Sequence, residues 1–305
     1  MRHGIPVGER GTEAWRHEVL AWVAATTGLR PDGPVRQRHR AWSTVLRIPT
    51  REGPVWLKEP VPGMAHEVGL HALLARLAPD AVATPLAVDT DRGRLLLPDT
   101  GPSVRDTGVE PSAAMTAALS RYARLQRAVA GHVPRMTALG VPDATPPALS
   151  ARYAEAVATI GGPATHRDVV AGWAARLDGT VPSSVDHQDL HVGNVLVDGR
   201  FPDWGDAVLA HPFASLLVAL GSLRRTLHVA TGDPAVTRPR DAYLEVFTDL
   251  APRAELIDLA ETACRAAVVA RALTWTRGAA VDPRFTHTPR EVLDVLGDAD
   301  WLAGT

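Results

Sequence analysis

The chain is 305 residues long, 46% hydrophobic and 22% charged, with a formal net charge of −2. Those values exclude a disordered or fibrous chain, and no Lys/Arg-rich run offers a basic footprint to nucleic acid or to an anionic membrane surface. The single cysteine, Cys264, rules out an intrachain disulfide; no apolar run reaches the roughly 18 residues of a membrane span, and residues 1–9 carry no signal-peptide-like stretch, so a cytoplasmic location is expected.

Over residues 12–27, Trp15, Val19, Trp22 and Val23 recur at helical spacing, and Gly28 ends the pattern. Three extended segments follow, 35–41, 44–49 and 54–58, with a turn at Arg51-Glu52-Gly53 between the last two. Residues 65–77 read as a helix stopped at Ala78-Pro79, and 85–88 and 94–97 as two strands around Asp91-Arg92-Gly93. Pro98 and Gly101-Pro102 then punctuate the chain, dividing a strand-rich region, 1–98, from a helical one, 99–305. Helices are expected over 111–130, 147–160, 166–177, 212–228, 241–249, 254–276 and 289–302, with a loop at 230–240. Cys264, in an Ala-rich run, reads as a buried helical thiol. Five strands with one inserted helix, followed by helices, predict an α+β protein with a ligand cleft at the junction.

The densest chemistry lies in Val185-Asp186-His187-Gln188-Asp189-Leu190-His191-Val192-Gly193-Asn194. Val195-Leu196-Val197 then reads as a strand, Asp198-Gly199 as its turn, and the run to Asp203-Trp204-Gly205-Asp206 as the return strand. Such a hairpin would bring Asp203 beside Asn194. One carboxylate can accept a proton from an attacking hydroxyl, while an amide oxygen and a second carboxylate hold Mg²⁺, which suits ATP-dependent phosphoryl transfer. Alone, each residue is better read as a turn or cap residue; together they favour chemistry.

His187-x-Asp189-Leu190-His191-x-Gly193-Asn194 with Asp203-Trp204-Gly205-Asp206 resembles the aminoglycoside phosphotransferase and choline kinase-like group of small-molecule kinases, over about residues 35–276. The resemblance implies a protein-kinase-like two-lobed fold. Its N-terminal ATP-binding lobe, an antiparallel sheet with a helix, would be residues 1–98, and its mostly helical catalytic and acceptor-binding lobe 99–305. It makes Asp189 the catalytic residue and Asn194 and Asp203 the Mg²⁺ ligands. Val55-Trp56-Leu57-Lys58 resembles the strand whose Lys contacts the α- and β-phosphates, with Glu67 as its ion-pair partner. Lys58 is the only lysine in an Arg-rich chain, which points to a required compact ammonium; the bland alternative is a strand-end Lys paired with Glu59.

His187 and His191 are expected to be packed rather than catalytic, and Asp206 is either a further metal ligand or a cap. Pro202 stands where the family usually has Ile or Phe, which predicts an edge or irregular strand. No G-x-G-x-x-G motif is present. Arg40-Ala41-Trp42-Ser43-Thr44 occupies its place, with backbone amides and the Ser43 and Thr44 hydroxyls as phosphate caps. In the hinge, Leu97 to Gly101, the Pro98 carbonyl and Thr100 amide would face the adenine edge. ATP and Mg²⁺ are thus the implied cofactors and a small-molecule hydroxyl the implied acceptor, without naming it. Asp241, Glu245, Glu255, Asp258 and Glu261 are interspersed with arginines, the pattern of a solvated surface rather than a polycation site. Trp275 and Arg277 are candidates for a pocket wall. The competing readings are a nucleotide-binding pseudokinase and, from Asp186-His187-x-Asp189-x-His191, a metal-dependent hydrolase.

Overall fold

A computed structural model describes residues 10–162 and 164–304; the expectation for residues 1–9 lies outside them. The chain divides into two compact units. One runs to Gly101 and takes in Asp203–Gly205, and the other comprises Pro102–Pro202 and Asp206 onward.

The first unit contains α1 (Glu13–Thr27), β1 (Arg36–Arg40), β2 (Ser43–Ile48), β3 (Val55–Pro60), α2 (His66–Leu77), β4 (Ala87–Asp89) and β5 (Arg94–Pro98). The Thr12 hydroxyl accepts from Trp15 N at 3.2 Å and starts α1; Gly28 stops it at φ 77°. The strands form one antiparallel sheet in the order β1-β2-β3-β5-β4. Alternation along each strand sorts its two faces. Leu46, Ile48, Val55, Leu57 and Leu96 pack with Trp15, Val19 and Val23 of α1, each such side chain contributing roughly 1.5–3 kcal/mol by leaving water. Glu59 lies on this core side, fully buried, with Arg10 Nε and Arg94 Nε each at 3.2 Å and Trp15 Nε1 donating at 3.2 Å. It therefore sits on the opposite face from Lys58, and the strand-end Lys58–Glu59 alternative falls.

The second unit contains α3 (Pro111–Val129), α4 (Val133–Ala138), α5 (Leu149–Ile160), α6 (Arg167–Leu177), β6 (Ser184–Asp186), β7 (Val208–Ala210), α7 (Leu216–Leu227), α8 (Pro234–Leu244), α9 (Arg253–Ala279) and α10 (Thr288–Asp294). The long α9 is its spine, touching α5, α6, α7 and α10, while α3 packs on α8. Cys264 lies within α9, buried, its thiol pushed above its ordinary pKa by desolvation. Among the described residues no helix is long and apolar enough to cross a membrane. The α+β architecture expected from the pattern of strands and helices is borne out.

Two local expectations fail. Residues 195–197 form no hairpin strand. Leu196 N reaches back across the turn to Arg200 O at 2.9 Å, but the flanking residues bond to the segment before α3, with Val104 N on Val195 O at 2.8 Å and Val197 N on Pro102 O at 3.1 Å. Gly199 N donates to Leu196 O at 2.8 Å to close a tight turn, Pro202 has no N–H for a ladder, and the strand pairing with β6 is β7. Residues 230–240 hold no simple loop either. Asp233 caps the start of α8 by accepting from Ala235 N at 2.7 Å, and Pro234 stands in the first turn, where proline suits a helix. Packing against α3 carries the helix through Pro239.

Candidate active site

In the first unit the β3 register pairs Lys58 with Val45 and Leu95, which turns its ammonium to the face away from the α1 core. Nζ lies 2.6 Å from Glu67 Oε1 and 2.5 Å from Asp203 Oδ1. Glu67 is buried in the first turn of α2, and an added Cβ at Gly205 would come within 3.1 Å of its Oε2, so the backbone beside Asp203 passes close to this carboxylate. Asp203 has φ 64°, the left-handed region where Asp is among the tolerated residues. Burial opposes charge on Lys58, but the carboxylates of Asp203 and Glu67 outweigh it and hold the ammonium above its usual pKa. Asp203 remains half exposed (52%) where Lys58 is 14% exposed.

The turn between β1 and β2 is only Ala41-Trp42, between the paired Arg40 and Ser43, and Val61 N just past β3 donates to Trp42 O at 2.9 Å. Ser43 shares the face of Lys58. Thr44 does not: it points to the core side, fully buried, with Oγ1 2.8 Å from His39 Nδ1. Arg36, Arg38 and Arg40, exposed on β1, lie on the Lys58 face, Arg38 in the same cross-strand row through Val45. Pro98 ends β5, and the Asp99 carboxylate accepts from Gly101 N at 3.0 Å to shape the turn around Thr100.

In the second unit the loop after β6 carries Asp189. Asn194 Nδ2 donates to both Asp189 Oδ2 (2.9 Å) and Asp189 O (2.8 Å), which fixes the carboxylate and leaves the amide's Oδ1 for a cation. His191 Nδ1 receives Gly193 N at 2.9 Å and faces Arg105 Nη2 at 3.1 Å, so its proton belongs on Nε2, 3.5 Å from Asp189 Oδ2. A Cβ at Gly193 would come within 2.7 Å of the Arg105 guanidinium and 2.8 Å of His191 Cε1, so a side chain there would displace one or both. Arg271 of α9 brings Nη2 to 3.9 Å from Asp189 Oδ1 and its guanidinium 5.0 Å over the Trp275 ring. His187 is fully buried; Nε2 lies 2.8 Å from Pro202 O and its backbone N donates to the Tyr122 hydroxyl at 3.0 Å, the packed histidine expected.

Asp206 caps no helix; the next helical turn is capped by His211, and Arg277 Nη2 donates to the Asp206 carbonyl at 3.0 Å. Asp241, Glu245 and Asp258 pair with Arg240, Arg253 and Arg176, as a solvated surface would. Sequence reasoning missed Arg105, Arg271 and the structural use of Asp186. The arginines left no signal because each reaches the Asp189 loop from a distant helix or turn.

Among the described residues no cluster of three or more His, Cys, Asp or Glu side chains is arranged to hold a metal. Asp186 and His187 are spent on buried partners, so the hydrolase reading lacks a ligand set. Taken each within its own unit, the half-exposed Asp203 carboxylate and the Asn194 amide oxygen are hard oxygen donors of the kind Mg²⁺ takes, an ion that fills the rest of its shell with phosphate and water.

A Lys–Glu pair on an antiparallel sheet with an inserted helix, and a separate helical unit presenting an Asp–Asn loop, define the class of kinase-like phosphotransferases. The chain belongs to the phosphotransferase enzyme family (APH), whose model matches residues 35–257. Family membership places its activity among small-molecule phosphotransfer reactions. Macrolide 2'-phosphotransferase MphH from Brachybacterium faecium is similar at 19% identity and TM-score 0.61, covering 91% of this chain and 97% of that one. A choline/ethanolamine kinase family protein from Mesorhizobium loti gives 16% and 0.61, covering 95% and 97%. The GDP and kanamycin complex of APH(2")-IIIa gives 14% and 0.57, covering 92% and 98%. At these identities the likeness concerns the fold. No curated protein matches the chain.

Proposed function

We propose that this protein transfers the γ-phosphate of ATP to a hydroxyl of a small molecule. The observation that carries the reading is the convergence of Glu67 and Asp203 on the chain's only lysine, at 2.6 and 2.5 Å. An ammonium held charged between two carboxylates is suited to polyanion binding, because an incoming phosphate can take over one of them. In this reading residues 1–98 bind the nucleotide and 99–305 supply the catalytic loop and the acceptor surface. Lys58 binds the α- and β-phosphates and Glu67 keeps it in place; Asp203 and Asn194 are the residues that would hold Mg²⁺. Ser43 and the amides of the β1–β2 turn cap the phosphates, while Thr44 drops out because its hydroxyl is turned to the core. The Pro98 carbonyl and Thr100 amide meet the adenine.

Bound Mg²⁺ would neutralise charge on the β- and γ-phosphates. Asp189 Oδ orients the acceptor hydroxyl and takes its proton as the new P–O bond forms. The bond to the β-phosphate oxygen breaks and ADP leaves. Asn194 Nδ2 and the Nε2 proton of His191 keep the Asp189 carboxylate oriented. The relative solved with GDP and kanamycin supports a nucleotide donor and a hydroxylated acceptor.

The test is a mass-spectrometric screen of hydroxylated metabolites and antibiotics with Mg·ATP, watching for a phosphate-sized gain. Once an acceptor is found, Asp189→Ala should lower kcat by about 10²–10⁴-fold. Turnover near wild type in that variant would remove Asp189 from the reaction.

A further inference from the structure

We propose that Asp186 is a positioning residue for Asp189, acting through the backbone of Gln188; this rests on the role given to Asp189 above. Gln188 has φ 62°, a conformation that glycine adopts freely, Asn and Asp tolerate, and a longer side chain rarely enters. It immediately precedes Asp189, so its ψ sets the direction in which the next side chain leaves the backbone.

The Asp186 carboxylate holds Gln188 in this state from two sides. Oδ1 accepts from Gln188 N at 3.0 Å and Oδ2 from Gln188 Nε2 at 2.5 Å. The Gln188 carbonyl accepts from Arg271 Nη1, whose Nη2 is the group near Asp189 Oδ1. Gln188 is thus held at its amide, its side chain and its carbonyl, and it is only 2% exposed. Asp186 is itself anchored: Ser215 Oγ donates to Oδ1 at 2.8 Å. Ser215 Oγ receives Gln126 Nε2 at 3.0 Å, and the Tyr243 hydroxyl donates to Gln126 Oε1 at 2.5 Å. The network ties the end of β6 to α3, α8 and the turn before α7. Asp186 is buried with both oxygens engaged and so cannot meet a reacting atom. Its chemistry is exerted on the geometry of its neighbour.

A double-mutant cycle with Gln188→Gly separates this role from plain core stability, because glycine needs no carboxylate to hold a positive φ. Asp186→Asn should lower kcat by about 10²-fold, with KM for ATP changed by about twofold or less. In the Gln188→Gly background the same substitution should cost about tenfold or less. Equal losses in both backgrounds, or an unchanged kcat in Asp186→Asn, would overturn the proposal. Should Asp186→Asn not fold, Ser215→Ala removes the anchor while keeping the carboxylate. Its smaller kcat loss must likewise shrink in the Gln188→Gly background, and an equal loss overturns the clamp.

The same cycle read by Tm does not depend on turnover. If wild type phosphorylates no acceptor, the proposed function fails alone, and the clamp is judged by unfolding. Its coupling should then appear as a difference of about 2 °C or more between the two backgrounds, and identical Tm losses refute it.

Discussion

Two non-glycine residues of the candidate site share a left-handed backbone, Gln188 at φ 62° and Asp203 at φ 64°, and they use it differently. Gln188 is buried and passive: its own side chain is tied to Asp186, and the benefit of its backbone falls on the next residue. Asp203 is half exposed and presents its own carboxylate, with Lys58 as the partner. One strained position aims a neighbour and the other aims itself. The first therefore tolerates any residue able to hold the backbone, whereas the second depends on its own functional group.

The comparison breaks most sharply at Asp203→Asn. Asn is also favoured in the left-handed region, so the backbone should survive with Tm within a few degrees of wild type, while kcat falls by about 10²–10³-fold. A variant that retained turnover would show that the carboxylate is not required. The next largest effect is expected at Arg271→Gln, which withdraws the donor from the Gln188 carbonyl; kcat should fall about tenfold with KM for ATP steady. A KM effect without a kcat effect would mark Arg271 as a binding residue instead.

The last effect bears on stability rather than turnover and concerns acid. His71, whose Nε2 lies 2.8 Å from Ala83 O under α2, is pushed down to about 4, and His211 in the second unit to about 3, chiefly by desolvation. Both stay neutral in the folded protein while the unfolded chain takes up protons below about 6.5. Stability is therefore full above that pH and declines as pH falls toward 4, by up to about 1.4 kcal/mol per pH unit for each histidine. Denaturant midpoints at pH 7.5 and 4.5 measure the slope, and His71→Gln should flatten it. An unchanged slope would mean that His71 is already protonated in the folded state.

The fold was legible where one periodicity decided each element. The sheet strands, α1, α2 and the helices around α9 follow directly from alternation, helical spacing and caps. The hairpin after Asn194 misled because an apolar triplet before Asp-Gly imitates a strand, while beyond one bond from Leu196 to Arg200 its partners, Pro102 and Val104, are remote in sequence. α8 was hidden by Pro234 and Pro239, the first of which favours a helix start. Within the site, Lys58 and Glu67 were readable and are brought together at 2.6 Å. Thr44 shows the limit of a motif: a one-residue step along a strand moves a hydroxyl to the other face. Asp186 and Arg271 could not have been assigned, since their effect runs through a backbone angle that no residue type announces.

Lys58 also has a chemical consequence. It is the only side-chain amine in the chain, so an acylating reagent has one ε-amino target, and that target lies in the candidate nucleotide site. Because the amine reacts only when unprotonated, the two carboxylates that raise its pKa also make it a slow nucleophile. Its labelling rate becomes a direct report on whether Asp203 still holds it.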